Sequence, residues 1–557
     1  MQPYSYQSLA QDESIRLLFL QCSDDWDSPI QCKIETYPLY DAPLYEAISY
    51  TWGASTSRVP IYINSSQGQE QCEVTLNGHN ALRRLRPKSG DRAVWIDAVC
   101  INQEDQAERS QQVRMMGSIF AMASLVVVYL GEHTPDSRQL FKELEVVNRA
   151  IRNGKDYSPE PSRVIARYTE ALLERSWFSR IWVIQEVRNS KSIIMCGDSF
   201  SSWDPFYECR RGHVDFVTSD LWPWTINNQL PKDYDYYTPE EIQLWYLLMS
   251  TRSFQATDKR DRIFALIPLI EAETDEAKSL VNYNQTPEEV YINTAQFLFR
   301  KLNLLLIAAI RHPISLDMPT WVPDWSQDLT NDIDHYVDEI DLRRRFKASE
   351  SYSSISVVTD QTRASTDYMA LNVKGVRYVR VSYLGEAAFE FTDFEDAKSQ
   401  LSTICSSDMF ENLPNNPSAI NERILQQTSG ELFTILKSMS PQRRANFFIR
   451  GNGPIPVSID AECVNLFRSR MEQCKLFLTD NDLIGITSAG ARNGDVVFLL
   501  QGAWHPCLLR RDTGDEWRLV SGDCYLDGSL PDSFEDLQER LGECVAGGTP
   551  LEDLIIV

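Results

Sequence analysis

Short apolar runs with a strand rhythm open the chain: "SIRLLFL" at 14–20, "IQCKIETY" at 30–37 and "YEAISYTW" at 45–52. After a polar excursion come two fully apolar segments, "AVWIDAV" at 93–99 and "LVVVYLG" at 125–131, of the kind a buried parallel strand shows. Between them "INQEDQAERSQQVRMMGSIFAMA" takes a helical period, with Val113, Met116, Ile119 and Phe120 as its stripe. Further helical patterns fall at 137–153, 162–174 and 177–188, before a strand "SIIMCG" at 192–197. Strand and helix alternating in this way predict an α/β fold: a parallel sheet with helices on both faces.

The rhythm changes twice more. From 205 to about 312 the pattern is mainly helical, and "MPTWVPDWS" at 318–326 reads as a packed, extended connector. A polar, charge-rich stretch at 327–366 is the linker candidate; helices are expected over 387–447, and alternating segments near 367–384 and 494–528 predict a small barrel or sheet. The expected division is an α/β domain at 1–204, a helical extension at 205–326, a linker at 327–366 and a β-rich α+β module at 367–557.

Composition narrows the function classes. The formal net charge of −25 repels phosphate backbones, so nucleic acid is not expected as a partner. The greasiest region, "FLFRKLNLLLIAAI" at 297–310, is too short and too charged to span a membrane, and the N-terminus lacks the shape of a secretory signal. Twelve Cys and six His are dispersed without metal-ligand spacing. The expectation is a cytoplasmic protein with reduced thiols and no tightly bound metal or cofactor.

Candidate chemistry gathers where the parallel strands end, since ligands of such sheets bind beyond the carboxyl ends of the strands. Those ends bring forward Ser49 to Gly53, including Trp52, and Asp97 to Gln103, including Asn102. Glu186, in the apolar "RIWVIQEV" at 180–187, has no cation three or four residues away. It is either a structural carboxylate that accepts backbone N–H groups or meets a distant Arg, or a functional one, with Trp182 beside it as core or as ligand wall. Glu108 and Arg109 read as a structural salt bridge, and Cys100 as a buried thiol. "CGDSF" at 196–200 and "DIDH" at 332–335 supply a further pattern, a serine esterase with Ser199 as nucleophile and His335 as base.

Four of these stretches, "YEAISYTWG" (45–53), "VWIDAVCINQEDQAERSQQVRMMGSIFAMA" (94–123), "SWFSRIWVIQE" (176–186) and "PTWVPDWS" (319–326), resemble the fungal heterokaryon-incompatibility, or HET, domain. "DKRDRIFAL" (258–266), "VNYNQTPEEVYI" (281–292) and the C-terminal "GDVVFLLQGAWHPCLLRR" and "GDCYLDG" resemble segments that accompany it, with Asp527 where many relatives have His. The resemblance implies a cell-death protein that acts by self-association and with other incompatibility proteins. HET domains are in turn distantly similar to TIR domains, which implies a TIR- or flavodoxin-like sheet. In "WVIQE" it places Glu186 where TIR enzymes carry the carboxylate that cleaves NAD. NAD is then the expected substrate, with Ser49, Trp52, Asp97, Asn102, Gln103 and Trp182 as substrate-binding candidates. A non-catalytic self-associating scaffold is the alternative.

Overall fold

The computed structural model describes residues 2–9, 13–53, 57–65, 68–153, 163–188, 191–203, 239–252, 254–270, 274–310, 316–327, 356–359, 369–384, 474–481, 483–522, 524–526 and 534–557. Their contacts divide into two compact units, one of residues 1–240 with 253–286, the other of 241–252 with 287–557.

The first unit is built on a nine-stranded sheet. Strands β1 (Ser14–Leu20), β2 (Gln31–Pro38), β3 (Glu46–Tyr50), β4 (Arg58–Ser65), β5 (Gly68–Thr75), β6 (Arg92–Trp95), β7 (Leu125–Tyr129), β8 (Ser192–Cys196) and β9 (Ser199–Ser202) lie in the order β5-β4-β2-β1-β6-β3-β7-β8-β9. The middle of the sheet, β6-β3-β7-β8, is parallel throughout. Its flanks are mixed: β1 runs antiparallel to both β2 and β6, β4 pairs β2 in parallel and β5 antiparallel, and β9 folds back on β8. The expected parallel sheet is thus present in the middle, and antiparallel neighbours make the whole sheet mixed. The polar excursion at 53–92 holds the β4–β5 hairpin and helix α1 (Leu76–Leu85). It reads as polar because β5 ends the strand order and most of its residues are exposed or half-buried.

The helices of this unit are set by local signals. Thr75 caps α1 by accepting from Gly78 N. The apolar run at 93–99 is cut at Ile96, where the chain turns into the short helix α2 (Asp97–Cys100). Asp105 then caps α3 (Gln106–Met122), its side chain accepting from Ala107 N and Glu108 N, an arrangement worth about 1 kcal/mol. The stripe Val113, Met116, Ile119 and Phe120 is buried as the period predicts. α4 (Pro135–Arg152) and α5 (Arg163–Leu173) follow β7. The helix expected over 177–188 is shorter: hydrogen-bonded turns carry 175–183, and α6 spans only Val183–Arg188.

A buried ion pair holds the underside of this unit. Arg16 on β1, 1% exposed, donates to both carboxylate oxygens of Glu108, at 2.5 and 2.9 Å, and to the carbonyls of Cys100 and Gln7. Glu108 thus pairs with Arg16 and not with Arg109, whose guanidinium stacks 3.7 Å from the Tyr283 ring and faces Asp258 at 3.8 Å. Cys100 is a buried thiol, as expected, and burial pushes its pKa up to about 12.

The second unit combines helices with a small closed barrel. The long strand β11 (Met369–Leu384) pairs with both β14 (Val496–Leu500) and β18 (Glu552–Ile556). β15 (Cys507–Arg511) and β16 (Glu516–Ser521) complete the ring β14-β15-β16-β18-β11-β14. Beyond the ring, β11 pairs β12 (Cys474–Thr479), which pairs β13 (Ile484–Ser488), and β13 pairs β17 (Tyr525–Leu526). Within the expected linker, β10 (Ser356–Thr359) is a strand against Met369–Asn372. The helices expected over 387–447 lie outside the described residues. The "PTWVPDWS" segment is packed here, with Trp321 and Trp325 fully buried and Thr320 bonded to Leu519 N and the Val557 carbonyl. Gly522 lies so close to the Ile307 carbonyl that a Cβ would sit 1.8 Å from its oxygen, so no other residue fits.

Candidate functional site

The site forms where the parallel strands β3 and β6 end and α6 packs. Ser49, 1% exposed, is the penultimate residue of β3. Its hydroxyl donates to Glu186 Oε2 and accepts from Trp177 Nε1 at 2.7 Å. The indole supplies the one hydrogen that Ser49 Oγ receives, so the serine's own hydrogen is free for the carboxylate. Trp177 is fully buried and stacks on Trp203, which fixes the indole N–H. Glu186 itself is 3% exposed.

The charge on Glu186 is not left unpaired. Arg180 approaches its Oε1 at 3.9 Å and also donates to the Tyr50 carbonyl at 2.6 Å. This is the distant-Arg reading of the sequence. Arg180 lies six residues before Glu186, a spacing that brings nothing together on a helix. It works here because 175–183 is a series of turns, pinned by Ile181 N to Gln255 O and Gln255 N to Ser179 O.

Asp97, the first residue of α2, is the second carboxylate of the group. It accepts from Trp52 Nε1 at 2.8 Å and from its own helix at Ala98 N, and its carbonyl accepts from Gln103 Nε2 at 2.9 Å. Burial raises the pKa of both acids. Arg180 opposes the rise at each, with Trp52 helping at Asp97 and Ser49 at Glu186, while the field of Asp97 adds to the rise at Glu186. Arg180 thus acts on two carboxylates, Glu186 buried and Asp97 half-buried. Carboxylates placed together in this way favour a ligand that carries or develops positive charge.

Of the residues expected at the site, Ser49 bonds to Glu186, and Trp52 and Gln103 bond to Asp97; the two sets are linked by the charges of Arg180 and Asp97. Asn102 turns away: its side chain accepts from Glu104 N and its backbone N–H binds Glu108. Trp182 faces a different cluster, donating from Nε1 to Asp261 Oδ2 at 3.1 Å, while Tyr283 donates to Asp261 Oδ1 at 2.6 Å. Asp261 is buried, and its pKa is raised to about 6 by burial, with Tyr283 opposing the rise and Asp258 adding to it. Trp177, Arg180 and Asp261 were missed. Their only sequence signal was membership of the same motifs, because each acts through a turn or through a segment distant along the chain. Of the esterase pattern, His335 lies outside the described residues; the imidazole that meets Ser199 is His133, at 3.1 Å.

Among the described residues no helix is long and apolar enough to cross a membrane. Residues 45–186 match the model of the heterokaryon incompatibility protein (HET) family. The match ends on Glu186 and takes in Ser49, Asp97 and Arg180. No solved structure matches the chain. The chain is 26% identical over 406 residues to heterokaryon incompatibility protein 6, OR allele, of Neurospora crassa, an alignment covering 58% of this chain and 60% of that protein's length. These similarities support a protein of the heterokaryon-incompatibility kind, with residues 45–186 as the region that matches the HET family.

Proposed function

We propose that this chain triggers incompatibility-type cell death and acts with itself and with other incompatibility proteins. We further propose that its trigger is hydrolysis of NAD at the Ser49–Glu186–Asp97 site. The observation that supports the chemistry is the buried carboxylate of Glu186 held by Ser49 and Arg180 at the end of β3, with half-buried Asp97 close enough to act on it. In NAD the nicotinamide is already a pyridinium cation and departs as a neutral ring, so its departure needs no general acid of the kind ordinary glycosides require. A preorganised carboxylate that stabilises the oxocarbenium-like centre is the main requirement. Glu186 fills that role, oriented by Ser49, and Trp52 offers a partly exposed ring for the flat base.

One observation favours a second reading, a non-catalytic scaffold. Ser49, Trp177 and Glu186 are all nearly inaccessible, so in this conformation the carboxylate serves the fold. Catalysis then requires that Arg180 and the turns at 175–183 move aside, which self-association would drive.

Glu186→Gln separates the two readings. It keeps the volume and the hydrogen bond from Ser49 while removing the charge. The catalytic reading expects nicotinamide release from NAD to fall on the order of a hundredfold or more, with killing lost and melting temperature little changed. Full killing by a well-folded Glu186→Gln protein would leave the scaffold reading standing.

A further inference from the structure

A second polar cluster lies on the same carboxyl edge of the sheet, where β7 and β8 end. His133 follows β7, and Ser199 follows the two-residue turn Gly197–Asp198 that joins β8 to β9. Gly197 has a φ of +55°, and a Cβ there would stand 2.6 Å from His133 Cδ2, so glycine is what admits the imidazole. The His133 side chain is 4% exposed; Ser199 is partly exposed, between exposed Asp198 and exposed Phe200.

Both ring nitrogens of His133 have a hydroxyl within hydrogen-bond reach. Ser137 Oγ accepts from Thr134 N at 2.9 Å and donates to the Thr134 carbonyl at 3.1 Å. Ser137 Oγ lies 3.2 Å from His133 Nδ1, and in the tautomer that carries its proton on Nδ1 the imidazole donates to it. That leaves the Nε2 lone pair for the Ser199 hydroxyl at 3.1 Å. Burial lowers the pKa of His133, and Arg138 and Arg175 lower it further, so the ring is neutral and basic near pH 7. Asp198 Oδ1, 3.3 Å from Nε2, opposes that shift and stands ready to stabilise the imidazolium once a proton arrives.

We propose that Ser199 is a nucleophile activated by His133 and that the pair takes acyl groups from activated esters. In the first step a bond forms between Ser199 Oγ and the carbonyl carbon and the ester C–O bond breaks. The hydroxyl proton passes to His133 Nε2 and on to the departing alkoxide. Water, deprotonated by the same nitrogen, then releases the acid and restores the serine. This site shares no residue with the Glu186 cluster, so neither depends on the other.

Incubation of the full chain with a fluorophosphonate tests the pairing, since Ser199 Oγ would displace fluoride and keep the phosphonyl group. Peptide mapping should find one adduct per chain, on Ser199, absent from Ser199→Ala. His133→Gln should slow labelling on the order of a hundredfold, the usual contribution of a general base. The wild-type rate should be flat above the ordinary histidine range and fall below it. This profile decides the matter if His133→Gln fails to fold, because His133 also packs on Phe141. Labelling of Ser199 no faster than in urea-unfolded protein, labelling unaffected by His133→Gln, or a rate that climbs with pH without a plateau would each overturn the proposal.

Discussion

At the scale of single residues, the site is a chain of obligations. Trp177 needs Ser49 as an acceptor, Ser49 gives its hydrogen to Glu186, and Glu186 needs Arg180. Removing the middle member exposes the rest. In Ser49→Ala the indole N–H of Trp177 keeps no acceptor at this position and Glu186 loses a donor, both in a buried setting. A buried group left unsatisfied costs about 1–3 kcal/mol. Ser49→Ala should therefore lower the unfolding free energy measured by denaturant titration by an amount in that range, in contrast to a mild effect of Glu186→Gln, which retains an acceptor. Equal stability of Ser49→Ala and wild type would show that the chain of bonds carries no weight. Much of this residue logic was readable: strand ends pointed to Ser49, Trp52 and Asp97, and an acid in an apolar helix pointed to Glu186. Arg180 was not readable, because helical spacing was applied to a segment that folds as turns.

At the scale of elements, α6 is held from outside the matched HET region. The segment 254–285 bonds to the turns before α6 through Gln255, binds Trp182 through Asp261, and stacks Tyr283 on Arg109 of α3. Asp261 is the hinge of this strap and gives a pH prediction. Its folded pKa of about 6 lies above the ordinary 3.8, so its contribution to stability is fully present below 3.8 and is lost as pH rises through about 6. The gap between the two values corresponds to about 3 kcal/mol. Asp261→Asn does not titrate, so the stability advantage of wild type over the mutant should shrink by up to that amount between pH 4 and 7. Melting temperatures in matched buffers check this; a gap constant with pH would place the Asp261 pKa near its ordinary value. The strap's sequence, "DKRDRIFAL" and "VNYNQ", resembled companion segments of the family, but nothing in its periodicity said which strand or helix it would meet. Long-range partners of this kind leave no local trace, whereas the apolar periods of β1, β3, β7 and α3 came out within a few residues of their bounds.

At the scale of the whole molecule, the chain leaves the first unit at 240, returns at 253 and leaves again after 286. Within the second unit, the Ile307 and Ile310 carbonyls lie against Gly522, and Thr320 binds β16 and the end of the chain. Proteolytic cleavage anywhere in 327–366 should therefore yield two fragments that stay together. They should co-elute on native size exclusion and separate only on a denaturing gel. Separation under native conditions would mean that the strands after 369 form a core without help from 241–326.

The interleaved path also has a consequence for how the protein is made. Helix Glu240–Ser250 is buried on nearly every side, from Glu241 through Met249, by partners that come later in the chain. On a ribosome that adds about 5–20 residues per second, the roughly 300 residues that follow it take about 15–60 s to emerge. For that time Leu244, Trp245, Leu247 and Leu248 stand without their final cover, a sticky surface on a nascent chain whose first unit has already closed at residue 286. Yield in a cell should then depend on chaperone supply and on slow translation after 286 more than on the melting temperature of the finished protein.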